Sequence, residues 1–378
     1  MNKLAWNGKN FIMETSKQQI TWCCFLNRSG YAQAALDYIG CLSNNANYDI
    51  KVSLFHSEPE RVSLSDKKYI ELMSLIRKPR DINAIQFLHC VPEMQERMPK
   101  SKKTVGFATF ETFSPPNEWV NILNKNDAVI CPSLFNVKIF ENAGVKNINY
   151  IPHTFDEKLY NPSVLPIEPK DERFTFMFVG TWKKRKGYQQ LLEAWMQEFD
   201  THDNVRLIIK TNAYTMTKLA IENTKRNLGL EKKEIAPILV KGEVFNESDL
   251  PSFFKLADCF ISPTLGEGFG LPGLQCMALG IPVITTNFSG VTDYAKTDTA
   301  TLIEPEGFIV YSDLDTIHQF KNKKWAHITV DNVRKSMRHV LENPKEVQTK
   351  ANNGLLMVKE NFKYEVVANK IKQMCEKI

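Results

Sequence analysis

The sequence predicts an α/β protein of two domains, and three observations support this class. Short apolar runs rich in β-branched residues alternate with helical stretches along most of the chain. The length of 378 residues exceeds what a single hydrophobic core usually holds. A proline-containing segment at 156–169, with Pro162, Pro166 and Pro169, separates two such series and predicts a linker.

Composition narrows the class of protein. Hydrophobic residues make up 43% and charged residues 24% of the chain, as in an ordinary soluble globular protein. The net charge of +5 suits phosphate-bearing ligands and is far below that of a dedicated nucleic-acid binder. The eight cysteines show no metal-ligand spacing, and no apolar run is long enough to span a membrane. We therefore expect a cytoplasmic protein with reduced, buried thiols and no bound metal.

The first series of strands and helices predicts a parallel sheet whose strands end in polar loops. Gly30 lies in the loop after the first strand, where it faces a cleft or, alternatively, serves only as a turn residue. The series ends before the linker, so we place the first domain at 1–165. The predicted strands are 20–26, 50–55, 83–89, one that leads from 104 towards 111, 128–133 and 148–154, with helices at 32–42 and 67–76.

Two of these strands end in residues that can carry chemistry. His89 closes one strand, where an imidazole can transfer a proton or contact a ligand, although a lone histidine is more often structural. Glu111 follows the next strand, where a carboxylate can accept a proton or hold hydroxyl groups; the alternative is a simple ion pair. Between them, the basic segment 94–103 is interpreted as a solvated loop, with a membrane-facing surface as the alternative.

The second series opens with a buried strand at 174–180, a basic loop at 181–187 and a helix to 195. Strand, basic loop and helix N-terminus together predict an anion site that faces the first domain; a solvated basic loop is the alternative. Lys210 ends the next predicted strand, 205–210, on the cleft side. The predicted domain covers 170–355, with further strands at 238–244, 257–262 and 281–286.

A glycine-rich loop lies between the last two of these strands. Gly266, Gly268 and Gly270 precede Pro272, which suits the first turn of a helix. The glycines let backbone N–H groups approach a ligand, and the helix N-terminus favours an anion such as a phosphate. Glu267 would repel a phosphate but can bind sugar hydroxyls, so the loop predicts a sugar nucleotide as ligand. The alternative is an ordinary strand-to-helix turn with a solvated glutamate.

The segment from Glu267-Gly-Phe-Gly-Leu-Pro to Gly280-Ile-Pro-Val-Ile resembles the donor-binding signature of family-four retaining glycosyltransferases. These enzymes have the GT-B fold, in which two Rossmann-like domains face each other across a cleft. The resemblance covers nearly all of 20–375 and is strongest over 174–290. It implies that the C-terminal helix, about 360–378 within the amphipathic segment 346–378, crosses back to the N-terminal domain.

The resemblance also assigns roles to individual residues. Glu267 is expected to hold the donor sugar, while Gln275 stands where the family has a second glutamate for the ribose, which puts nucleotide affinity and identity in question. Lys186 is expected to reach the donor diphosphate, and Arg185 to replace an arginine that relatives carry at the position of Thr181. In many relatives a histidine stands at the position of Glu111. The other residues expected to contact substrates are Gly30, His89, Lys210, Val244 (nucleotide base), Gly268, Phe269, Gly270 and Leu271.

The resemblance therefore implies transfer of a sugar, with retention and without a metal, from a UDP- or GDP-sugar to an acceptor hydroxyl. The acceptor would be a glycan, a lipid-linked molecule or another hydroxyl compound, reached at the inner face of a membrane if the protein binds there. Two alternatives stay open. A nucleic-acid base glycosyltransferase would fit the basic chain, and a non-catalytic nucleotide-sugar-binding protein would fit the departures at Thr181 and Gln275.

Overall fold

A computed structural model describes residues 3–6, 11–14, 17–27, 29–44, 48–55, 64–311, 314 and 317–378. Within them, two six-stranded parallel sheets are each flanked by helices, which confirms the predicted α/β class. Two antiparallel pairs of strands that the sequence did not predict, β1–β2 (Lys3–Trp6 and Phe11–Glu14) and β15–β16 (Gly307–Val310 and Lys324–His327), complete the strands of the described residues. The predicted domain bounds, 1–165 and 170–355, stay predictions; the strands of the two sheets fall within 18–150 and 174–303.

The first sheet has the order β4-β3-β5-β6-β7-β8. Its core contains stacked aromatic rings: Trp22 stacks on Phe87 with ring centroids 4.7 Å apart, and both are fully buried. The side chain of Ser29 caps the first helix by accepting a hydrogen bond from the amide of Ala32. The elements are β1 Lys3–Trp6, β2 Phe11–Glu14, β3 Gln18–Cys24, α1 Gly30–Ser43, β4 Tyr48–Leu54, α2 Asp66–Arg77, β5 Ile85–His89, α3 Pro92–Gln95, β6 Lys103–Phe107, α4 Asn117–Leu123, β7 Ala128–Cys131, α5 Leu134–Asn142 and β8 Ile148–Tyr150.

The second sheet has the order β11-β10-β9-β12-β13-β14. Its strands are short. They are apolar because helices cover both faces of a parallel sheet and bury the side chains on each side. The elements are β9 Phe174–Val179, α6 Tyr188–Glu198, β10 Val205–Lys210, α7 Tyr214–Asn227, β11 Ile238–Lys241, α8 Leu250–Phe254, β12 Cys259–Ser262, α9 Leu271–Ala278, β13 Val283–Thr286, β14 Thr301–Ile303, β15 Gly307–Val310, β16 Lys324–His327 and α10 Val330–Glu342.

The strand orders locate the sites where ligands can bind. In the first sheet β3 lies between β4 and β5, and in the second sheet β9 lies between β10 and β12, so the strand order reverses beside each of them. Such reversal points open a crevice outside the carboxyl ends of the strands. His89 ends β5, and the loop after β12 carries the glycines, so both crevices are lined by residues that the sequence singled out.

The C-terminal segment forms two helices, α11 Pro344–Asn361 and α12 Tyr364–Cys375, and not the single helix predicted over 346–378. The break occurs because Phe362 is buried in the core of the second half, while Lys363 is extended and forms a bridge with Phe155. Beyond it, Val367 and Ile371 of α12 pack into the core of the first sheet. The predicted crossing of the C-terminal helix back to the N-terminal half is confirmed.

Candidate active site

A cavity of about 760 Å³ lies between the two halves, at the carboxyl ends of both sheets. The loop after β3, the ends of β5 and β6, the basic segment after β9 and the glycine loop after β12 all contribute to it. The structure therefore brings most of the predicted site residues together. Those that line the cavity are Gly30, His89, Glu111, Thr181, Arg185, Lys186, Glu267, Gly268, Phe269, Gly270 and Leu271.

Three predicted residues are not among those that line this cavity. Lys210 ends β10, at the same edge of the sheet. Val244 follows β11 and is 52% exposed. Gln275 lies in α9 and is buried, with only 3% of its surface exposed. Their proposed contacts with the nucleotide remain predictions.

Four charged side chains form a cluster that joins the two halves across the cavity. Arg185 lies 3.3 Å from a carboxylate oxygen of Glu111 and 3.2 Å from one of Glu267. Lys186 donates to the other carboxylate oxygen of Glu267. Glu111 belongs to the first half and the other three to the second half, so the cluster also ties the halves together. Two cations and two carboxylates balance each other in charge.

The electrostatics of the cluster distinguish its two carboxyl groups. Burial raises the pKa of Glu267, but Lys186 and Arg185 outweigh it, and the pKa lies below its ordinary value. Burial also raises the pKa of Glu111, and Arg185 offsets this only in part, so that pKa lies above its ordinary value. Burial lowers the pKa of Lys186 despite Glu267. Glu267 is therefore the firmly ionised carboxylate, and Glu111 is the more easily protonated one.

Close backbone contacts fix the two loops of the second half against each other. A Cβ atom at Gly187 would lie 1.7 Å from the carbonyl oxygen of Pro263, and the φ angle of Gly187 is +71°. Leu265 donates from its amide to the carbonyl of Arg185 at 2.7 Å. Since the glycine removes the side chain and tolerates the positive φ, the basic segment can lie directly on the glycine loop. This contact sets Lys186 and Arg185 beside Glu267.

The glycine loop also makes close contacts on its other sides. A Cβ atom at Gly268 would lie 2.3 Å from the hydroxyl of Thr109, which belongs to the first half. Gly270 caps α9 with a φ of +87°, and the hydroxyl of Tyr294 donates to its carbonyl. The amide of Glu267 donates to Ser289 at 2.8 Å. At the start of α9, Pro272 has no N–H group and the amide of Gly273 donates to the carbonyl of Gly270, so the amide of Leu271 is the one this helix N-terminus can offer to a ligand.

The first half lines the cavity with aromatic rings. His89 stacks on Phe107 with ring centroids 4.1 Å apart. Burial, with a smaller contribution from His153, holds the pKa of His89 well below its ordinary value, so the imidazole is neutral. Its Nδ1 atom is buried and makes no hydrogen bond within the described residues. Tyr31 lies edge-on to His89, with centroids 5.9 Å apart.

Sequence reasoning missed several residues of the cavity. Tyr31 and His153 were part of predicted segments but were given no role, although His153 follows β8 at the edge of the sheet where His89 ends β5. Trp182 lies within the predicted basic loop. Phe320 and Trp325 come from the segment around the β15–β16 hairpin, for which the sequence offered no motif.

Two kinds of feature are absent from the described residues: a metal-binding group of side chains and a membrane-spanning helix. Within the described ranges, no group of three or more His, Cys, Asp and Glu side chains could hold a metal ion. Among the helices of these same ranges, none combines the length and the apolar character that a membrane span requires.

Comparison with known proteins relates part of the chain to a family of glycosyltransferases. Residues 173–312 match the family model described as Glycosyl transferases group 1. Curated relatives include an uncharacterized 41.2 kDa protein in the cps region of Klebsiella pneumoniae, 27% identical over 216 residues (54% of this chain). The capsular polysaccharide biosynthesis glycosyltransferase CapM of Staphylococcus aureus is 28% identical over 144 residues (37% of this chain). The matched segments cover 56% and 33% of these relatives, so the chain spans about half or less of their length.

Solved structures match over the whole chain. Sucrose-phosphate synthase from Thermosynechococcus elongatus has a TM-score of 0.67 at 15% identity, covering 96% of this chain and 99% of that one. HepE from Anabaena, solved in complex with UDP and glucose, has a TM-score of 0.66 at 14% identity, covering 96% and 100%. At such identity the match establishes the fold. Segment 173–312 matches the predicted glycosyl transferases group 1 family, and the predicted GT-B fold of the chain is confirmed.

Proposed function

We propose that the protein is a retaining, metal-independent glycosyltransferase that moves a sugar from a nucleotide sugar to an acceptor hydroxyl in glycan biosynthesis. The observation that carries this proposal is the cluster of Arg185, Lys186 and Glu267 on the glycine loop of a cavity between two halves. It offers cations for a diphosphate and a carboxylate for sugar hydroxyls, in one place. The family of segment 173–312 supports the same reaction.

Donor binding in this proposal rearranges the charge cluster. The diphosphate oxygens replace the Glu267 carboxylate as partners of Lys186 and Arg185, and the amides of Gly268 to Leu271 add further donors. Glu267, released from the two cations, then accepts hydrogen bonds from hydroxyls of the donor sugar. Gly187 keeps the cations near the loop throughout, because its contact with Pro263 does not depend on side-chain charges.

The chemical step is a displacement at the anomeric carbon. The acceptor oxygen bonds to this carbon on the face that the diphosphate leaves, so the configuration is retained. The bond from carbon to phosphate oxygen breaks, and the nucleoside diphosphate takes its electron pair and the acceptor's proton. Arg185 and Lys186 stabilise the charge that develops on the leaving group, the task that a metal ion performs in other transferases.

The identity of the donor is proposed from the relatives. HepE was solved with UDP-glucose, and an Escherichia coli relative, 25% identical over 221 residues, is a UDP-Gal:alpha-D-GlcNAc-diphosphoundecaprenol alpha-1,3-galactosyltransferase. Both names favour a UDP-sugar over the GDP-sugar that was also expected. A glycan or lipid-linked acceptor is proposed on the same basis. Membrane contact, nucleic-acid acceptors and a cytoplasmic location stay predictions.

The test is a donor screen in EDTA. The purified chain is mixed with UDP-, GDP-, ADP- and dTDP-sugars, and nucleotide release is followed with and without simple sugar acceptors. We expect release from one donor, and Glu267→Gln to slow it by about 100-fold or more, because the amide cannot replace a charged partner. Glu231→Gln, an exposed position away from the cavity, is the matched control. The anomeric proton of the product, observed by NMR, reports retention or inversion.

Each outcome separates the competing functions. Release that requires an added divalent metal overturns metal independence, and an inverted product overturns retention. Binding of one donor without release, in the presence of acceptors, supports the non-catalytic alternative. Failure of all four donors to bind overturns the donor site at Lys186 and Glu267.

A further inference from the structure

A hydrogen-bonded relay lies behind the aromatic side of the cavity. The hydroxyl of Tyr38, a fully buried side chain of α1, lies 2.9 Å from the carbonyl oxygen of Ile151. The same hydroxyl lies 3.2 Å from Nδ1 of His153. His153 itself is half-buried and lines the cavity. The three groups form a chain that runs from the end of β8 into the cavity wall.

The relay determines which nitrogen of His153 carries the proton. A carbonyl oxygen can only accept, so the single hydroxyl proton of Tyr38 is donated to Ile151. The oxygen of Tyr38 is then the acceptor for His153, and Nδ1 must be the protonated nitrogen. Burial lowers the pKa of His153 to about 3, so the ring is neutral and carries one proton. Its Nε2 atom therefore has a free lone pair.

The ring of His153 lies next to the glycine loop. The ring of His153 lies edge-on to Phe269, with centroids 5.1 Å apart, and Phe269 follows directly after Glu267 and Gly268. Within the described residues, no hydrogen bond to Nε2 is present. Because Nδ1 meets the buried hydroxyl of Tyr38, Nε2 lies on the opposite edge of the ring, and His153 is one of the residues that line the cavity.

The charges around His153 indicate the kind of molecule that would meet it. In the described part of the first half, Glu111 is the only charged side chain that lines the cavity, and the rest of that wall is aromatic or small. Tyr31 is partly exposed on this wall, whereas His89 and Phe107 stack on each other and are almost fully buried. A wall of this kind suits the apolar C–H face of an uncharged sugar. The cations all lie on the opposite wall, in the segment 183–186.

We propose that His153, held in its Nδ1–H form by Tyr38, is an acceptor-binding residue whose Nε2 accepts a hydrogen bond from the attacking hydroxyl of an uncharged sugar. This inference rests on the proposed function and names the acceptor class of the same site. The hydrogen bond orients an oxygen lone pair of the hydroxyl towards the anomeric carbon. The proton still leaves with the diphosphate. Tyr38 is the positioning residue, because it acts only through His153.

The first experiment needs no substrate. The full chain, labelled with ¹⁵N at histidine, is examined by NMR at neutral pH, and His153→Gln identifies the resonances of His153. We expect a protonated Nδ1 and an unprotonated Nε2, and Tyr38→Phe to convert this single tautomer into a mixture. A protonated Nε2, or an equal mixture in the unchanged chain, overturns the proposal. This readout is independent of the donor screen, so the two proposals can fail separately.

The second experiment adds probes of the acceptor. UDP and one of four neutral methyl glycosides (glucoside, galactoside, mannoside, N-acetylglucosaminide) are titrated into the labelled chain. We expect one of them to shift the Nε2 resonance of His153 towards the position of a hydrogen-bonded nitrogen. No shift with any of the four overturns the role in acceptor binding.

Kinetics distinguish this role from a structural one. With the donor found in the screen, His153→Phe should raise the KM for the glycoside by about fivefold to tenfold, the effect of one lost hydrogen bond, and leave the donor KM unchanged. His153→Gln should recover most of the loss, because its side-chain oxygen takes the place of Nε2. Equal effects of both variants on donor and glycoside overturn the proposal.

Discussion

Gly187 and Gly229 have nearly the same backbone conformation but very different surroundings. Their φ angles are +71° and +64°, and an added Cβ would meet the Pro263 carbonyl at 1.7 Å in the first case and nothing within 4 Å in the second. Gly229→Ala should cost about 1 kcal/mol, the strain of a left-handed alanine. Gly187→Ala should cost about 3 kcal/mol or more, because the two loops must also separate.

Urea unfolding of both alanine variants measures this difference. Gly229→Ala controls for the backbone strain, so the excess loss at Gly187 reports the contact between the basic segment and the glycine loop. We also expect weaker donor binding only in Gly187→Ala. Equal losses of stability would show that this contact contributes nothing.

The buried imidazole of His89 links stability to pH. Its pKa in the folded chain lies well below 6.5, because of burial first and His153 second. Below about pH 6.5 the unfolded chain therefore binds a proton here that the folded chain does not, and the free energy of unfolding falls as the pH is lowered. The slope from this group is at most about 1.4 kcal/mol per pH unit.

The measurement compares the unchanged chain with His89→Gln. Urea unfolding between about pH 4.5 and 6.5 should give a shallower loss of stability for the variant, since the titrating group has been removed. Curves that run parallel over this range would show that His89 does not contribute to acid destabilisation.

At the scale of secondary structure, α12 stabilises a half of the protein from which it is far away in sequence. Ile371 on this helix is fully buried in the core of the first sheet, while Leu356 on α11 is 61% exposed. Ile371→Ala should lower the free energy of unfolding by about 2–5 kcal/mol because it leaves a cavity. Leu356→Ala should change it by no more than about 0.5 kcal/mol. Thermal or urea unfolding of the two variants tests this, and similar losses would contradict the packing.

Elements with strong local signals could be predicted from the sequence. The strand at β10 was predicted with its bounds, and the loop at 266–270 was placed correctly between a strand and a helix, because apolar runs, glycines and Pro272 are local features. The β15–β16 hairpin was missed because its stability comes from distant contacts. Trp325 is buried in the core of the second half, and the nearby Phe320 stacks on Phe110 of the first half.

Residues of the candidate site could likewise be predicted only where the signal is local in the sequence. Glu267, Lys186 and Glu111 could be predicted because each lies in a motif or at a strand end that is visible in the sequence. The relay from Ile151 through Tyr38 to His153 could not, because Tyr38 is separated from the other two by more than a hundred residues and only the folded sheet brings them together. The bend of the C-terminal segment at Phe362 depends in the same way on a tertiary core.

At the scale of the whole molecule, polar contacts beside the cavity add to the aromatic contacts and the helix α12 that join the two halves. The carboxylate of Asp293 in the second half accepts from the amide of Leu134, the first residue of α5 in the first half, at 3.0 Å. This contact places an anion at a helix N-terminus, where it is stabilising. Asp293→Ala should therefore loosen the junction and lower stability by about 1 kcal/mol.

Small-angle X-ray scattering of the chain without ligand measures how far the two halves separate. We expect a larger radius of gyration for Asp293→Ala, as the halves separate more often. Asp331→Ala serves as control, because Asp331 forms an exposed ion pair with Lys335 within α10, away from the junction. An unchanged radius of gyration in both variants would show that Asp293 does not hold the halves together.

The return of α12 to the first half affects the order in which a newly made chain can fold. A ribosome releases the first sheet early, but the residues that complete its core, among them Val367, Ile371 and Met374, are synthesised only after the second half. The second half has its own sheet and can fold as soon as it emerges. Folding on the ribosome should thus be completed from the second half to the first. Until α12 emerges, the early half exposes an apolar surface that matches this helix and can recruit chaperones.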